Sequence, residues 1–383
     1  MSEHHPSQQR SSRQRSRARH RARRRGAAAP LTGGLLAAAL LTGTAAAPAA
    51  AAPEIGYETL TPRCSPALPV PHPGCAEGRT YRGAPLPSGT PGSFGQLAGP
   101  DRFATAAAVA REGFPEADVA VLVSGEDAHL VDALSAAPLA RSLAAPLLLA
   151  TRDAVPAATS AYLGERGVRS VLLVGGADAL GELTAKRLRA LGVEHVARVA
   201  GADRYATSRA LAELMPRAEH AWAASGEQAH LVDALAAAGP AAGLGQPLVV
   251  LPDDPAVAEQ AARTLSALGV RETTVAGGDE GVADEAALRM PGAERVFAAD
   301  RYGTAGALAS AGVGRGLPAG QFTVAPGAER HLVDGLAAGT LGRAVVLGED
   351  LGAARREVAV WFGSAPVVRM TTVGAVRLQD ALP

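Results

Sequence analysis

A chain of 383 residues is long enough to bury a large core in two or three modules, so a single small domain is excluded. Apolar residues make up 48% of it but aromatics only 3%, which leaves Ala, Val and Leu to build the core and suits thin helices packed closely on sheets. The formal net charge of zero conceals a division: the first 52 residues hold nine arginines against one acid, Glu3, and the remainder has 28 basic and 36 acidic residues, a net charge of −8. A folded part that acidic lacks the basic stripe from which a nucleic-acid binder draws its affinity.

The arginine-rich start runs from Arg10 to Arg25 and is followed by Leu31 to Leu41, an apolar stretch of about eleven residues, then by small residues through Ala45, Ala46, Ala47 and Ala50. A basic region, a short apolar region and an A-x-A-like site predict a secretory signal peptide over residues 1–52. The apolar stretch is too short to span a bilayer well, so no stable membrane span is expected after processing. Cys64 and Cys75 are the only cysteines, and in an oxidising compartment they are expected to form a disulfide. They lie in a proline-rich segment, residues 53–95, that reads as an extended spacer.

From Gln96 onward the chain repeats itself. A first motif appears as AGPDRFATA around Asp101, AGADRYATS around Asp203 and AADRYGTAG around Asp300. A second, SGEDAHLVDAL, SGEQAHLVDAL and PGAERHLVDGL, sets Asp132, Asp233 and Asp334 at equal steps of 101 residues. A third places Gly175, Gly277 and Gly374 in LLVGGADAL, TVAGGDEGV and TVGAVRLQ. Three motifs in one order and nearly one phase mean internal duplication. The units expected are residues 96–198, 199–296 and a truncated 297–383.

Within the first copy, Val119 to Ser124, Pro146 to Ala150 and Ser170 to Val174 are short continuous apolar runs, as expected of parallel strands covered on both faces. Helical patterns lie between them. Ala104 to Glu112 follows Asp101, which can cap a helix. His129 to Ser142 carries Leu130, Ala133, Leu134 and Ala137 on one face, Pro156 opens a third helix, and Glu182 to Leu191 stops at Gly192. The pattern predicts an α/β fold of three tandem repeats, each a parallel sheet with helices on its faces. The third copy lacks a last helix and strand, so its edge is expected to be atypical or completed by a neighbouring copy.

The paired AGADRYAT and SGEDxxxxDALAA signatures, the APLLL strand and the VGG turn resemble the cell-wall-binding repeat 2 family of Gram-positive surface proteins, over about three quarters of the chain. The resemblance implies packing around a pseudo-threefold axis and noncovalent attachment of a secreted or surface protein to an anionic polymer of the cell wall. Two departures stand out. The aromatic-proline pair usual before the second Asp is His-Leu-Val here, and Pro326 replaces Ser124 and Ser225 in the third copy.

Several constellations invite a chemical reading. Ser124, His129 and Asp132 suggest a nucleophile, base and orienting acid, yet the third copy has no serine and no nucleophile elbow is present, so no enzyme activity is expected. His129 and Asp132 stand three apart on one helix face, as do His230/Asp233 and His331/Asp334; the simpler reading gives each Asp a place near a helix start rather than a metal, and no cofactor is expected. Arg102, Arg204 and Arg301, with Arg330, are candidates to hold phosphate or carboxylate groups of a wall polymer. Alternatively, each Asp-Arg pair is structural, Asp101, Asp203 and Asp300 capping helices while the arginines bridge to an acid such as Asp132, Asp233 or Asp334. A second function class is an exported receptor holding a small ligand at the carboxyl ends of the strands.

The tripartite start generates the first prediction. Mass spectrometry of the exported protein should find a mature N-terminus between Ala46 and Pro53, and alkylation without reductant should label neither Cys64 nor Cys75; an intact Met1 or two labelled thiols would overturn it.

Overall fold

The computed structural model describes residues 93–328, 332–363 and 367–376; the expected signal peptide, Cys64, Cys75, Arg330 and His331 lie outside them. Twelve short strands among these residues form three four-stranded sheets in which every pairing is parallel.

The first repeat runs α1 (Arg102–Gly113), β2 (Val119–Ser124), α2 (Leu130–Ser142), β3 (Leu147–Ala150), α3 (Ala157–Arg166), β4 (Ser170–Val174), α4 (Glu182–Ala190) and β5 (His195–Val199). The second repeats it as α5 (Arg204–Glu213), β6 (His220–Ser225), α6 (Leu231–Gly243), β7 (Leu248–Leu251), α7 (Pro255–Ala267), β8 (Glu272–Ala276), α8 (Asp284–Ala287) and β9 (Ala293–Val296). The third has α9 (Arg301–Gly314), β10 (Gln321–Ala325), α10 (Leu332–Gly335), β11 (Ala344–Leu347), α11 (Leu351–Phe362) and β12 (Arg369–Val373). The apolar runs of the sequence are these strands, buried along their whole length in β2, β3 and β4.

The missing edge of the third copy is supplied from the other end of the chain. Its sheet has the order β11-β10-β12-β1, where β1 (Ser93–Leu97) takes the place that β5 and β9 hold in β3-β2-β4-β5 and β7-β6-β8-β9. Ser93 pairs with Arg369 and Leu97 with Val373, closing the three repeats into a ring. The end of the segment read as spacer is therefore a strand, because its partner lies some 275 residues away and no local pattern announces it.

Alternate residues of each strand serve two cores, as the two-residue period of a strand requires. Val121 and Val123 of β2 face a central cluster shared by all three repeats, while Ala120 and Leu122 face a cluster of the first repeat alone. In the second repeat Trp222 and Ala224 point inward, and Ala221 and Ala223 outward. The centre is made by α2, α6 and the tight helical turn Leu336–Leu341 that follows α10. Ala137, Ala238 and Gly339 stand at the same step of 101 residues, and they meet there: a Cβ on Gly339 would lie 2.9 Å from that of Ala238 and 3.2 Å from that of Ala137. Three helices converge on a pseudo-threefold axis that has room for two methyl groups and one hydrogen.

Overfilling this point should cost more than any surface change. Ala238→Leu is expected to lower stability by about 1–3 kcal/mol or more in denaturant unfolding, since native-density cores do not absorb added methylenes. Val360→Ala, at a side chain 74% exposed, should stay within about 0.5 kcal/mol.

Candidate functional site

Each repeat begins with a short polar cassette whose residues have the same partners three times. Asp101, Asp203 and Asp300 sit in extended conformation at the N-caps of α1, α5 and α9, where their carboxylates accept from the N–H of Ala104, Ala206 and Gly303 at 2.7, 2.7 and 2.8 Å. The hydroxyls of Thr105, Thr207 and Thr304 accept from the backbone N–H of Gly99, Gly201 and Ala298 at 3.0–3.1 Å, folding the chain back before each helix. Next to each Asp, the arginine donates through Nη1 to a loop carbonyl after the second strand: Arg102 to Gly125 at 2.6 Å, Arg204 to Gly226 at 2.8 Å and Arg301 to Gly327 at 3.0 Å. The aromatic that follows, Phe103, Tyr205 or Tyr302, lies over that same glycine, where a Cβ would strike its ring.

These arginines are thus struts within their own repeats. Arg102 also pairs with Asp127 at 2.6 Å, rather than with Asp132. Ser124 is buried, and its hydroxyl accepts from the N–H of Glu126 at 3.2 Å; Ser225 does the same with Glu227 at 3.1 Å. Both hydroxyls shape the loop before the second helix.

Asp132, Asp233 and Asp334 have another environment. Each carboxylate rests on the first glycine of the third motif, at Gly175, Gly277 or Gly374, where the backbone has φ of +100°, +95° or +64° and a Cβ would collide with the acid. Positive φ and the absent Cβ together explain why glycine stands there. Burial pushes the Asp132 carboxyl up to about 6, against the opposing pull of His129 and Arg204. Burial raises Asp233 as well, opposed by His230 and Arg301. Part of the attraction, after that of the histidine in the same repeat, comes from the arginine of the following repeat, so Asp132 and Asp233 mark seams between copies.

Clefts open at two of those seams. One, of about 300 Å³, lies between the first and second repeats and brings together His129, Asp132, Asp178, Asp203, Arg204 and Thr207. The other, of about 420 Å³, lies between the third and the first and is lined by Asp101, Arg102, Phe103, Thr105, Asp334 and Gly374 among others. Both lie where the strands end at their carboxyl side, the usual place for ligands in parallel sheets. Among the described residues, no group of three or more His, Cys, Asp or Glu side chains could hold a metal ion.

Sequence reasoning missed a second set of arginines. Arg198 near the end of β5 donates to the carbonyls of Gly175, Gly176 and Leu180 at 2.7, 3.1 and 2.6 Å, and Arg295 in β9 does so to Gly277, Gly278 and Val282 at 3.0, 2.9 and 2.8 Å. Each clamps the glycine turn on which the buried Asp rests. Their one signal was an arginine just before a valine, in VARV and AERV.

The cassette, the glycine turn and three sheets of one order can be set beside known proteins. Residues 96–184 and 198–287 match the model of cell wall binding domain 2, CWB2. The first two repeats are thus of the CWB2 type. The structure is similar to that of Cwp6 from Clostridium difficile, with a TM-score of 0.65 at 23% identity over 75% of this chain and 46% of that one. It is also similar to Cwp8 from Clostridium difficile, with a TM-score of 0.61 at 25% identity over 79% and 50%. The chain spans about half the length of these two structures. No match was found among curated proteins. The match gives the two matched segments the character of a cell wall binding domain. Among the described residues, no helix is long and apolar enough to cross a membrane.

The buried Asp132 sets a pH test. Its carboxyl titrates near 3.8 when unfolded and near 6 when folded, so the unfolded chain gives up this proton first and stability falls as pH rises between those values. The cost is absent below pH 4 and complete above 6, where it reaches about 3 kcal/mol. Asp132→Asn should therefore gain on the native chain by up to that amount as pH rises from 4 to 6, with a constant difference beyond; a difference flat across the window would assign the titration elsewhere.

Proposed function

We propose that this protein attaches noncovalently, and without catalysis, to an anionic polymer of the cell wall, and that it does so at the seams between its repeats. The observation carrying this reading is the guanidinium that borders each described cleft, Arg204 in one and Arg102 in the other, on repeats of a cell-wall-binding family. Arg301 holds the equivalent position by motif, and Arg330 is a fourth candidate outside the described residues. Each of the three seen arginines spends one Nη on a glycine carbonyl, and a guanidinium has five N–H donors. A side chain fixed in this way is pre-organised to meet phosphate or carboxylate with less loss of freedom than a mobile one.

The surrounding acids set the terms. With the chain at −8 beyond residue 52, attraction cannot be a property of the whole molecule, so it has to arise locally, on the arginine side of each cleft. Asp132 opposes it least when protonated, which burial favours up to about pH 6. The competing reading, a small-ligand receptor, rests on the same clefts.

Sedimentation with purified cell walls separates the two, since a small-ligand receptor stays in the supernatant. Retention should be strong near 0.1 M salt and fall steeply toward 1 M, as the Debye length shrinks from about 10 Å to roughly 3 Å. Arg204→Lys keeps the charge and should keep most of the retention, whereas Arg204→Ala should lose it. Retention indifferent to salt and equal in both variants would remove the anionic polymer.

A further inference from the structure

The strand that closes the ring is held less firmly than its two counterparts. Aligned at their carboxyl ends, β1, β5 and β9 place Gln96, Arg198 and Arg295 at one position, next to last. Arg198 donates to three carbonyls of the turn beside it, and Arg295 to three carbonyls and to Asp284 at 2.8 Å. Among the described residues Gln96 donates one bond, from Nε2 to the Val376 carbonyl at 3.1 Å, in the turn after Gly374. A neutral amide replaces a charged clamp at the one joint where the ring closes.

β1 leads directly into α1, the first helix of the first repeat. Its backbone pairs with β12 alone, through five registered residues. The next residues, Ala98, Gly99 and Pro100, form a short joint ahead of the α1 cap. Every contact that β1 makes with β12 joins parts of the chain about 275 residues apart, so an identical strand from another molecule would reproduce all of them. The intramolecular strand wins only by its effective concentration.

We propose that the edge of β12 is a strand-binding site whose second ligand is β1 of another copy of this chain. Release of one β1 opens the ring and exposes an unpaired parallel edge; a β1 from a second copy then fills it, joining the two molecules. Recognition is by the β12 ladder, by the Gln96 amide on Val376 and by the bond from the Thr372 hydroxyl to the Gly95 carbonyl.

The test uses the full chain and a labelled synthetic peptide of residues 90–98, followed by fluorescence anisotropy some degrees below the melting temperature. Uptake should be saturable, and the same peptide carrying Gly95→Pro should not bind: Ser93 gives its N–H to Val368, so the N–H two residues on points at β12 as well, and proline lacks it. A full chain carrying Gln96→Arg, which restores the clamp of the other two copies at an exposed position, should take up the native peptide at least tenfold more slowly. At high concentration the native chain should form dimers that excess peptide converts to peptide-bound monomers, and the Gln96→Arg chain should form fewer. Equal uptake of native and Gly95→Pro peptides, or an unchanged rate in the Gln96→Arg chain, would overturn the proposal.

Discussion

The structure depends on how closely three helices can approach at one point. Ala137, Ala238 and Gly339 occupy the pseudo-threefold axis, and no larger side chain fits there. Small residues let α2, α6 and the turn after α10 come together, and the sheets built on them then share one apolar centre. The same constraint accounts for the third repeat's departure from a regular helix. Gly335 and Gly339 weaken helix formation, and α10 passes after one turn into a narrower 3-10 coil. An alanine-rich composition with 3% aromatics is what such a centre needs.

Once the centre is fixed, the seams follow, and their chemistry is determined by which polar groups the packing has already used. The Asp-Arg cassette is consumed within its own repeat: the acid on helix amides, the arginine on a loop carbonyl. What remains at each seam is the buried second-motif acid of one copy and the still partly solvated arginine of the next. Their mutual pull on charge is visible in Asp132 and Asp233, each held up by burial and drawn back first by the neighbouring histidine, His129 or His230, and then by the arginine across the seam. A cleft with this mixture presents its charges by local geometry rather than by net field, so a chain of net −8 still carries guanidinium groups at its seams.

Much of this was legible. Equal steps of 101 residues identified the repeats, the apolar runs became the strands, and Asp101, Asp203 and Asp300 cap helices as their position before each run implied. The arginine beside each cap was half legible: a structural role was foreseen, and Arg102 does pair with an acid of its own repeat, Asp127 rather than Asp132, but the loop carbonyl that all three arginines share leaves no trace in a sequence. Arg198 and Arg295 went unread because their third counterpart is Gln96, so the pattern is broken where threefold recurrence would have revealed it. β1 was invisible for a related reason. A five-residue strand whose only partner is at the far end of the chain has no local signature beyond weak alternation.

Charge decides which copy follows which. At the seam between the second and third repeats, Arg315 at the end of α9 pairs with Glu272 and Glu294 at 3.1 and 3.5 Å. At the seam between the third and the first the polarity is reversed: Glu112 of α1 faces Arg369 at 2.8 Å and the buried Arg343 at 3.6 Å. Between the first and second, Ser142 meets the sulfur of Met215 at 3.7 Å, with no charge on either. A helix end from one seam placed in another would set like charges together or leave a buried charge alone, and either outcome is costly. Arg343 shows the expense, since burial and then Arg369 lower it to about 10 while Glu112 acts in the other direction. The joint closed by β1 is thus the one whose strand, among the described residues, has the fewest clamping bonds and whose helix end bears the reversed charge code. Fidelity of pairing and strength of pairing are separate quantities at this joint, the first carried by Glu112 and its two arginines and the second by the β1 ladder.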